Sequence, residues 1–397
     1  MSDEANLAHQ QPARRLRIAV LNRLFKPTAG GAERYSIALV EHLAARHDIH
    51  VFAQEIAHQF PGVSYHPVSS PCMRPRWINQ LWFAVVTWWK TRQGFDVVHS
   101  HENTWHGQVQ TVHVLPIRYN LFKGRSGLPW LLRSLKVMTS PRLLVYLGLE
   151  WARYRPQAGK RIVVTAPGLR ATMAQTFPAS QGALTIVTPG VSDVPGPATL
   201  EQRTAARIQL ALPLAGHCIL FIGNDYRKKG LPALLQALQQ LPVDSFLAVV
   251  GNAAQISEFH PQAQALGLQD RVFFLGALSD VNTAYRAADC LAHPTLEDTF
   301  GMVVLEAMAH GLPVVVSCAE FCGIADYLTH RDNAYVLTDP RNVEQLLTAL
   351  NAVRTPSEMA GVLAASAQIF ARAHLWAAQA RLQEDIYLRA TAESARN

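Results

Sequence analysis

The 397-residue chain is poor in cysteine and in charge and has no long apolar run, and each shortage excludes something. Its five cysteines (Cys72, Cys218, Cys290, Cys318, Cys322) are odd in number and scattered, which argues against a disulfide scaffold. Cys318 and Cys322 are separated by three residues and have no second pair, so no metal site is expected. No apolar run reaches the ~18 residues that a membrane-crossing helix needs. The opening segment MSDEANLAHQQPARR has no apolar stretch of the signal-peptide kind. The expectation is a reduced, cytoplasmic protein with a disordered tail over 1–15. Charged residues are only 16% of the chain against 49% apolar, a globular composition, and the length suits two or three domains.

The charge that is present is unevenly spread. Residues 1–195 carry 22 Lys/Arg against 10 Asp/Glu, and residues 196–397 carry 14 against 19. A basic half beside an acidic half implies that the first alone faces a polyanion, unless surface composition differs by chance.

Apolar periodicity alternates between strand and helix. RLRIAVLN (15–22) reads as a buried strand, and Gly30-Gly31 opens a helix over 32–46. Strands follow at 48–54, 95–101, 108–114, 161–166 and 184–190. The Pro/Gly-rich stretch 191–202 reads as a linker. A second series has strands at 217–223, 245–251, 271–276, 289–295 and 312–317, with helices at 231–241 and from Met302. Residues 357–392 read as one or two closing helices. Such alternation predicts α/β architecture, two Rossmann-like doubly wound domains with the active site in the cleft between them. The expected division is 16–195, 203–372, and a closing helix over 373–397.

The most informative stretch is HPTLEDTFGMVVLEAMAHGL (293–312). Asp298 and Glu306 lie eight positions apart, around a turn and a helix start. A carboxylate ahead of a helix can grip a polyol, free helix amides can hold a diphosphate, and a second carboxylate can reach a ribose. The bland reading is a helix cap and a surface carboxylate. This stretch resembles the glutamate–seven–glutamate signature of retaining GT-B glycosyltransferases of family 4, with Asp298 in place of the first Glu and Glu297 directly before it. Either Glu297 or Asp298 could grip the sugar.

The resemblance implies roles for further residues. FIGNDYRKKGLPALL (221–235) is similar to the family's strand–turn–Lys-Gly element, with Lys229 on the diphosphate and Arg227 or Lys228 as a second cation. Asn224 stands where many members carry arginine, a substitution that lipopolysaccharide-core glucosyltransferase relatives share. Phe274 matches the nucleobase region, although Phe273 and Phe274 equally suit a core strand. Phe300, Gly301, Met302 and Val303 match the turn that meets donor phosphate and sugar, and Glu306 the ribose carboxylate. PTAGGAERYSIALVEHL (27–43) resembles the glycine-rich first loop, with Gly30 and Gly31 near donor phosphate and Glu33 and Arg34 opening the helix on the acceptor side. His113 matches a histidine that touches the donor sugar, and His101 ends the preceding strand, beyond His99. Asp298 is not assigned as a nucleophile. The family's reaction is a front-face substitution.

Two stretches are distinctive. RPRWINQLWFAVVTWWKTR (74–92) carries four tryptophans, and 117–155 is long, basic and apolar. They suit either interfacial helices on anionic lipid or covers for a sheet. The expected enzyme is a metal-independent hexosyltransferase with no cofactor. Its donor would be a nucleotide sugar, UDP-linked, and its acceptor a lipid-linked or lipopolysaccharide-core glycan. It would lie on the inner face of the cytoplasmic membrane through its basic half, with no nucleic acid partner. The alternatives are a sugar-nucleotide epimerase of the same architecture, or a non-catalytic protein binding anionic membrane or nucleic acid.

Overall fold

A computed structural model describes residues 14–28, 30–72, 74–354 and 357–394. The expected tail lies outside the described residues as far as 13; within it, Arg14 pairs with Asp96 at 2.8 Å. The chain forms two compact units. The first takes residues up to Val163, Met173–Thr185 and those from Ala380 onward; the second takes Val164–Thr172 and Ile186–Gln379.

In the first unit the strands are β1 (Arg17–Leu21), β2 (Leu24–Phe25), β3 (Asp48–Ala53), β4 (Glu55–Ile56), β5 (Val63–Pro67), β6 (Val97–Ser100), β7 (Val109–Val112), β8 (Arg161–Val164) and β9 (Leu184–Ile186). Seven make one sheet in the order β5-β3-β1-β6-β7-β8-β9, and β2 pairs with β4 as a small ribbon. The ladders from β5 to β7 are parallel. β1 is buried because four of its five residues, Ile18 to Leu21, are apolar and enclosed. Helix Gly31–Leu43 buries Ile37, Leu39, Val40 and Leu43, the helical spacing read in the sequence. The stretch 117–155, read as long, basic and apolar, is three helices, Ile117–Phe122, Gly127–Met138 and Pro141–Tyr154. Gly124 and Gly127 break it with positive φ, which a β-carbon disfavours.

In the second unit β10 (His217–Gly223), β11 (Ser245–Gly251), β12 (Val272–Gly276), β13 (Cys290–His293), β14 (Val314–Ser317) and β15 (Tyr335–Leu337) form a parallel sheet ordered β12-β11-β10-β13-β14-β15. Alternate residues enter different cores. Cys218, Leu220 and Ile222 join one buried cluster, and Ile219 and Phe221 the other. Helices cover both faces, so strands read as continuous apolar runs. One such helix, Leu231–Gln240, buries Leu231, Leu234, Leu235 and Leu238. The closing region is two helices, Glu358–Ala373 and Trp376–Ser394.

Strand order reverses between β1 and β6 in the first sheet and between β10 and β13 in the second. Loops leaving the carboxyl ends of strands diverge at such points, and ligands bind there in open α/β sheets.

Candidate functional site

In the second unit, the loops after β10 and β13 meet at the reversal. Asp225 braces the first: its carboxylate accepts the Lys228 amide (3.0 Å) and its carbonyl the Lys229 amide (2.8 Å). The Leu296 amide donates to the Lys228 carbonyl at 2.8 Å, joining the loops. Gly230 is required here. Its φ is +87°, and a β-carbon would stand 1.9 Å from the Pro294 carbonyl oxygen.

This close approach delivers Lys229 to Asp298. The ammonium donates to Asp298 Oδ2 at 2.6 Å and to the Glu297 carbonyl at 3.2 Å. His293 Nε2 lies 3.1 Å from the same carboxylate oxygen, and the Phe300 amide donates to Oδ1 at 3.2 Å. Burial alone would raise the Asp298 pKa. The Lys229 charge and the His293 contact outweigh it and hold the carboxyl well below the usual range. His293 is itself kept low by burial, which its contact with Asp298 opposes.

Arg227, Lys228 and Lys229 therefore go to three different carboxylates. Arg227 pairs with Glu258, Lys228 with Glu297 at 2.7 Å, and Lys229 with Asp298. Of the two acidic neighbours, Glu297 is the more open, its side chain 39% exposed against 19% for Asp298.

Helix Met302–Ala309 starts just beyond. Gly301 is its N-cap, left-handed at φ +97° and without a capping side chain, and a β-carbon there would meet Cys322 Sγ at 2.8 Å. The amides of Met302 and Val303 thus point from an uncapped helix end, the geometry that receives a phosphate. Phe300 is buried beneath, and its carbonyl accepts from the Ile324 amide at 2.6 Å. Glu306 lies on the same helix, with the Tyr285 hydroxyl donating to it at 2.7 Å. Phe274 packs 6.4 Å from the Tyr226 ring and 6.2 Å from His260, partly buried in the middle of β12. Asn224 is exposed, and its carbonyl accepts from Gln255 Nε2 at 3.1 Å.

In the first unit, Gly30 caps helix Gly31–Leu43 with extended backbone and no capping side chain. The Glu33 carboxylate lies over it, 2.9 Å from where a Gly30 β-carbon would be. Burial raises the Glu33 pKa, its own backbone N–H opposes this, and nearby Glu102 adds to it. Arg34 follows, half-buried. At the ends of β6 and β7, His101 Nδ1 lies 2.9 Å from His113 Nε2, the rings stacked at 5.2 Å. Burial pushes His113 down to about 3 and His101 well below its ordinary value, so both are neutral. Tyr35, fully buried, packs against both rings.

Apart from Phe274 on the outer strand β12, the sequence-predicted residues thus fall into two groups, one in each unit. Three contributors escaped sequence reading. His293 is the last residue of β13, a strand-end histidine like His101 and His113. Gln255 holds the loop after β10, accepting the Tyr226 amide at 2.7 Å while donating to Asn224. Tyr285 has no sequence signal, since its distance from Glu306 follows only from packing. Among the described residues, no group of three or more His, Cys, Asp or Glu side chains is arranged to hold a metal ion.

Comparison with known proteins identifies the family and the fold. Residues 29–193 match the model described as Glycosyltransferase Family 4, and residues 202–368 the model described as Glycosyl transferases group 1. A D-inositol 3-phosphate glycosyltransferase from Streptosporangium roseum is 30% identical over 327 residues, covering 75% of this chain and 70% of that protein. The lipopolysaccharide glucosyltransferase WaaG of Escherichia coli is 32% identical over 157 residues, 38% of this chain; the chain spans less than half, 41%, of that relative's length. A WaaG crystal structure superposes with a TM-score of 0.80 at 22% identity, covering 93% of this chain and 99% of that one. Anabaena HepE, solved with UDP and glucose, superposes with a TM-score of 0.72 at 18% identity over 94% of this chain and 99% of its own. The chain belongs to this family of glycosyltransferases, and its two parallel-sheet units are the Rossmann-like domains of the GT-B fold.

Proposed function

We propose that the protein is a retaining hexosyltransferase, moving a hexose from a UDP-linked sugar to a lipid-linked or lipopolysaccharide-core glycan. The observation that carries this is the Lys229–Asp298 pair beside the uncapped helix at Gly301. The ammonium and the helix amides suit a diphosphate without a metal or cofactor. Arg227 or Lys228 supplies the second cation once released from its carboxylate. Glu306 suits the ribose, and Asp298 or Glu297 the hexose hydroxyls. In the first unit, His113 suits a sugar hydroxyl, and Gly30, Gly31, Glu33, Arg34 and His101 suit phosphate and acceptor. In the reaction, the bond from the anomeric carbon to phosphate oxygen breaks while the acceptor oxygen bonds to the same face. The acceptor proton passes to the departing phosphate. Likeness to the lipopolysaccharide glucosyltransferase WaaG supports the acceptor class, and likeness to HepE, solved with UDP and glucose, supports a UDP-linked donor.

The acceptor class also rests on a surface. Helix Gly127–Met138 buries only Val137. Leu128, Leu132 and Met138 on it are 65%, 57% and 70% exposed, with Trp89 at 59% and Trp151 at 60% on other helices of the unit. Arg125, Arg133, Lys136 and Arg142 interleave with them. Exposed Trp and Leu among cations suit the interface of an anionic membrane. No helix among the described residues is long and apolar enough to cross one. We place the protein on the inner face of the cytoplasmic membrane, without a nucleic acid partner.

The test is turnover of a panel of nucleotide hexoses with lipid-linked saccharide, in the presence of a chelator, followed by NMR of the product anomer. Transfer with the donor's anomeric configuration kept supports the proposal. An inverted product, or sugar-nucleotide conversion without acceptor, removes it.

A further inference from the structure

We propose that Tyr387, on the closing helix, is a positioning residue that orients the His101–His113 pair by fixing His99 between them and itself. The proposal rests on the functional reading above for its kinetic consequence, though not for its structural one.

His99 is fully buried in β6. Its Nδ1 lies 2.7 Å from the Tyr387 hydroxyl and its Nε2 2.7 Å from Thr111 Oγ1. Both ring nitrogens are thus engaged and the imidazole cannot turn. Tyr387 meets the ring edge-on at 5.5 Å. On its other side His99 contacts His101 at 4.3 Å between centroids, and His101 stacks on His113. Arg153 holds the far strand in place, donating to the Thr111 carbonyl at 2.6 Å and to Gln110 at 2.9 Å. One hydroxyl from the end of the chain therefore locks the first ring of a row of three.

The proton positions follow. His99, at about 3, is neutral and carries one proton. A phenol is a stronger donor than an aliphatic alcohol, so Tyr387 donates to Nδ1 and the Nε2–H donates to Thr111. His101 Nε2 is buried without a partner. A buried lone pair left unmatched costs less than a buried N–H left unmatched. His101 therefore carries its proton on Nδ1 and donates it to His113 Nε2. His113 must then carry its own proton on Nδ1.

The experiment is 15N–1H NMR of the histidine side chains in the full chain, parent against Tyr387→Phe, beside steady-state kinetics. In the parent we expect an Nε2–H form for His99 and Nδ1–H forms for His101 and His113. In the variant, resonances of all three should move. Turnover should fall roughly tenfold, the loss of one buried hydrogen bond, with nucleotide-sugar affinity unchanged. Movement confined to His99, or equal loss of nucleotide affinity, overturns the proposal. If Tyr387→Phe does not fold, Thr111→Val removes the partner at the other nitrogen and must move the same three rings. If the parent transfers no hexose, the functional reading fails, while the NMR comparison still decides the positioning.

Discussion

Lys229 Nζ stands 2.6 Å from Asp298 Oδ2, a contact that ties the loop after β10 to the loop after β13 where strand order reverses. The residues are far apart in sequence, and under the proposed function the pairing sets a cation for a diphosphate beside a carboxylate for a sugar. An ion pair with His293 behind it leaves the ammonium a fixed direction, which favours a charge that develops on a leaving phosphate.

Replacing Lys229 by Met should weaken nucleotide binding by about 10- to 100-fold, the worth of a charge-assisted hydrogen bond. It should also alter stability with a definite pH dependence. Asp298 is depressed in the fold, so its contribution is present above the unfolded value of about 3.9 and is lost as pH falls toward the folded one. Urea unfolding from pH 6 to 2.5 should show parent and variant converging at the acid end.

Glu306→Ala should abolish transfer with little loss of stability, because the carboxylate is only partly buried on its helix. Tyr285→Phe removes the hydroxyl 2.7 Å from that carboxylate and should raise the donor KM about tenfold or less, the cost of one hydrogen bond. Steady-state kinetics with the cognate donor checks both.

Asp289 is nearly fully buried and accepts from Arg203 (2.6 Å), Arg207 (2.8 Å) and the Cys218 amide (2.7 Å). Removing it strands the buried Arg207 guanidinium. Asp289→Ala should therefore cost about 3–5 kcal/mol in unfolding experiments. Nucleotide affinity of the folded fraction should be unchanged, since the cluster lies at the start of β10 and β13, away from the loops that hold Lys229.

His99, His101 and His113 are neutral in the fold and would each take a proton when unfolded. Their folded values lie below about 6.5, so stability should fall as pH drops through that value toward about 3. Each contributes a slope of about 1.4 kcal/mol per pH unit in that window. Chemical unfolding of the parent and of His99→Asn from pH 7 to 4 should show the shallower slope in the variant.

Much of the fold was legible in the sequence, for a physical reason. Strands buried on both faces must be short apolar runs, so HCILFIG and SFLAVVG mark β10 and β11 to the residue. Gly230 and Gly301 were legible as turn residues because only glycine fits those conformations. What was not legible depends on topology. His99 and Tyr387 are 288 positions apart, and nothing local signals their contact. The separate destinations of Arg227, Lys228 and Lys229 depend on which carboxylates the folded loops present. The Pro/Gly-rich stretch at 191–202 reads as a linker, yet the contacts divide the chain at Thr185 and Ile186. The backbone of Val191 bonds both His374 and Trp376, which draws this stretch into the second unit.

The exposed helix face is testable without knowing the acceptor. Leu132→Glu with Met138→Glu should reduce co-sedimentation with vesicles containing anionic lipid, and parent binding should weaken as salt rises. Equal binding to neutral vesicles at high salt would remove the charge contribution.

The most direct test of the central assignment is calorimetric titration of UDP-hexoses into the full chain with chelator present, for the parent and for Lys229→Met. We expect binding of one UDP-hexose to the parent, and binding about 10- to 100-fold weaker in the variant. Equal affinity in both proteins, or no binding to the parent at millimolar ligand, would contradict the assignment of the Lys229–Asp298 cluster as the donor site.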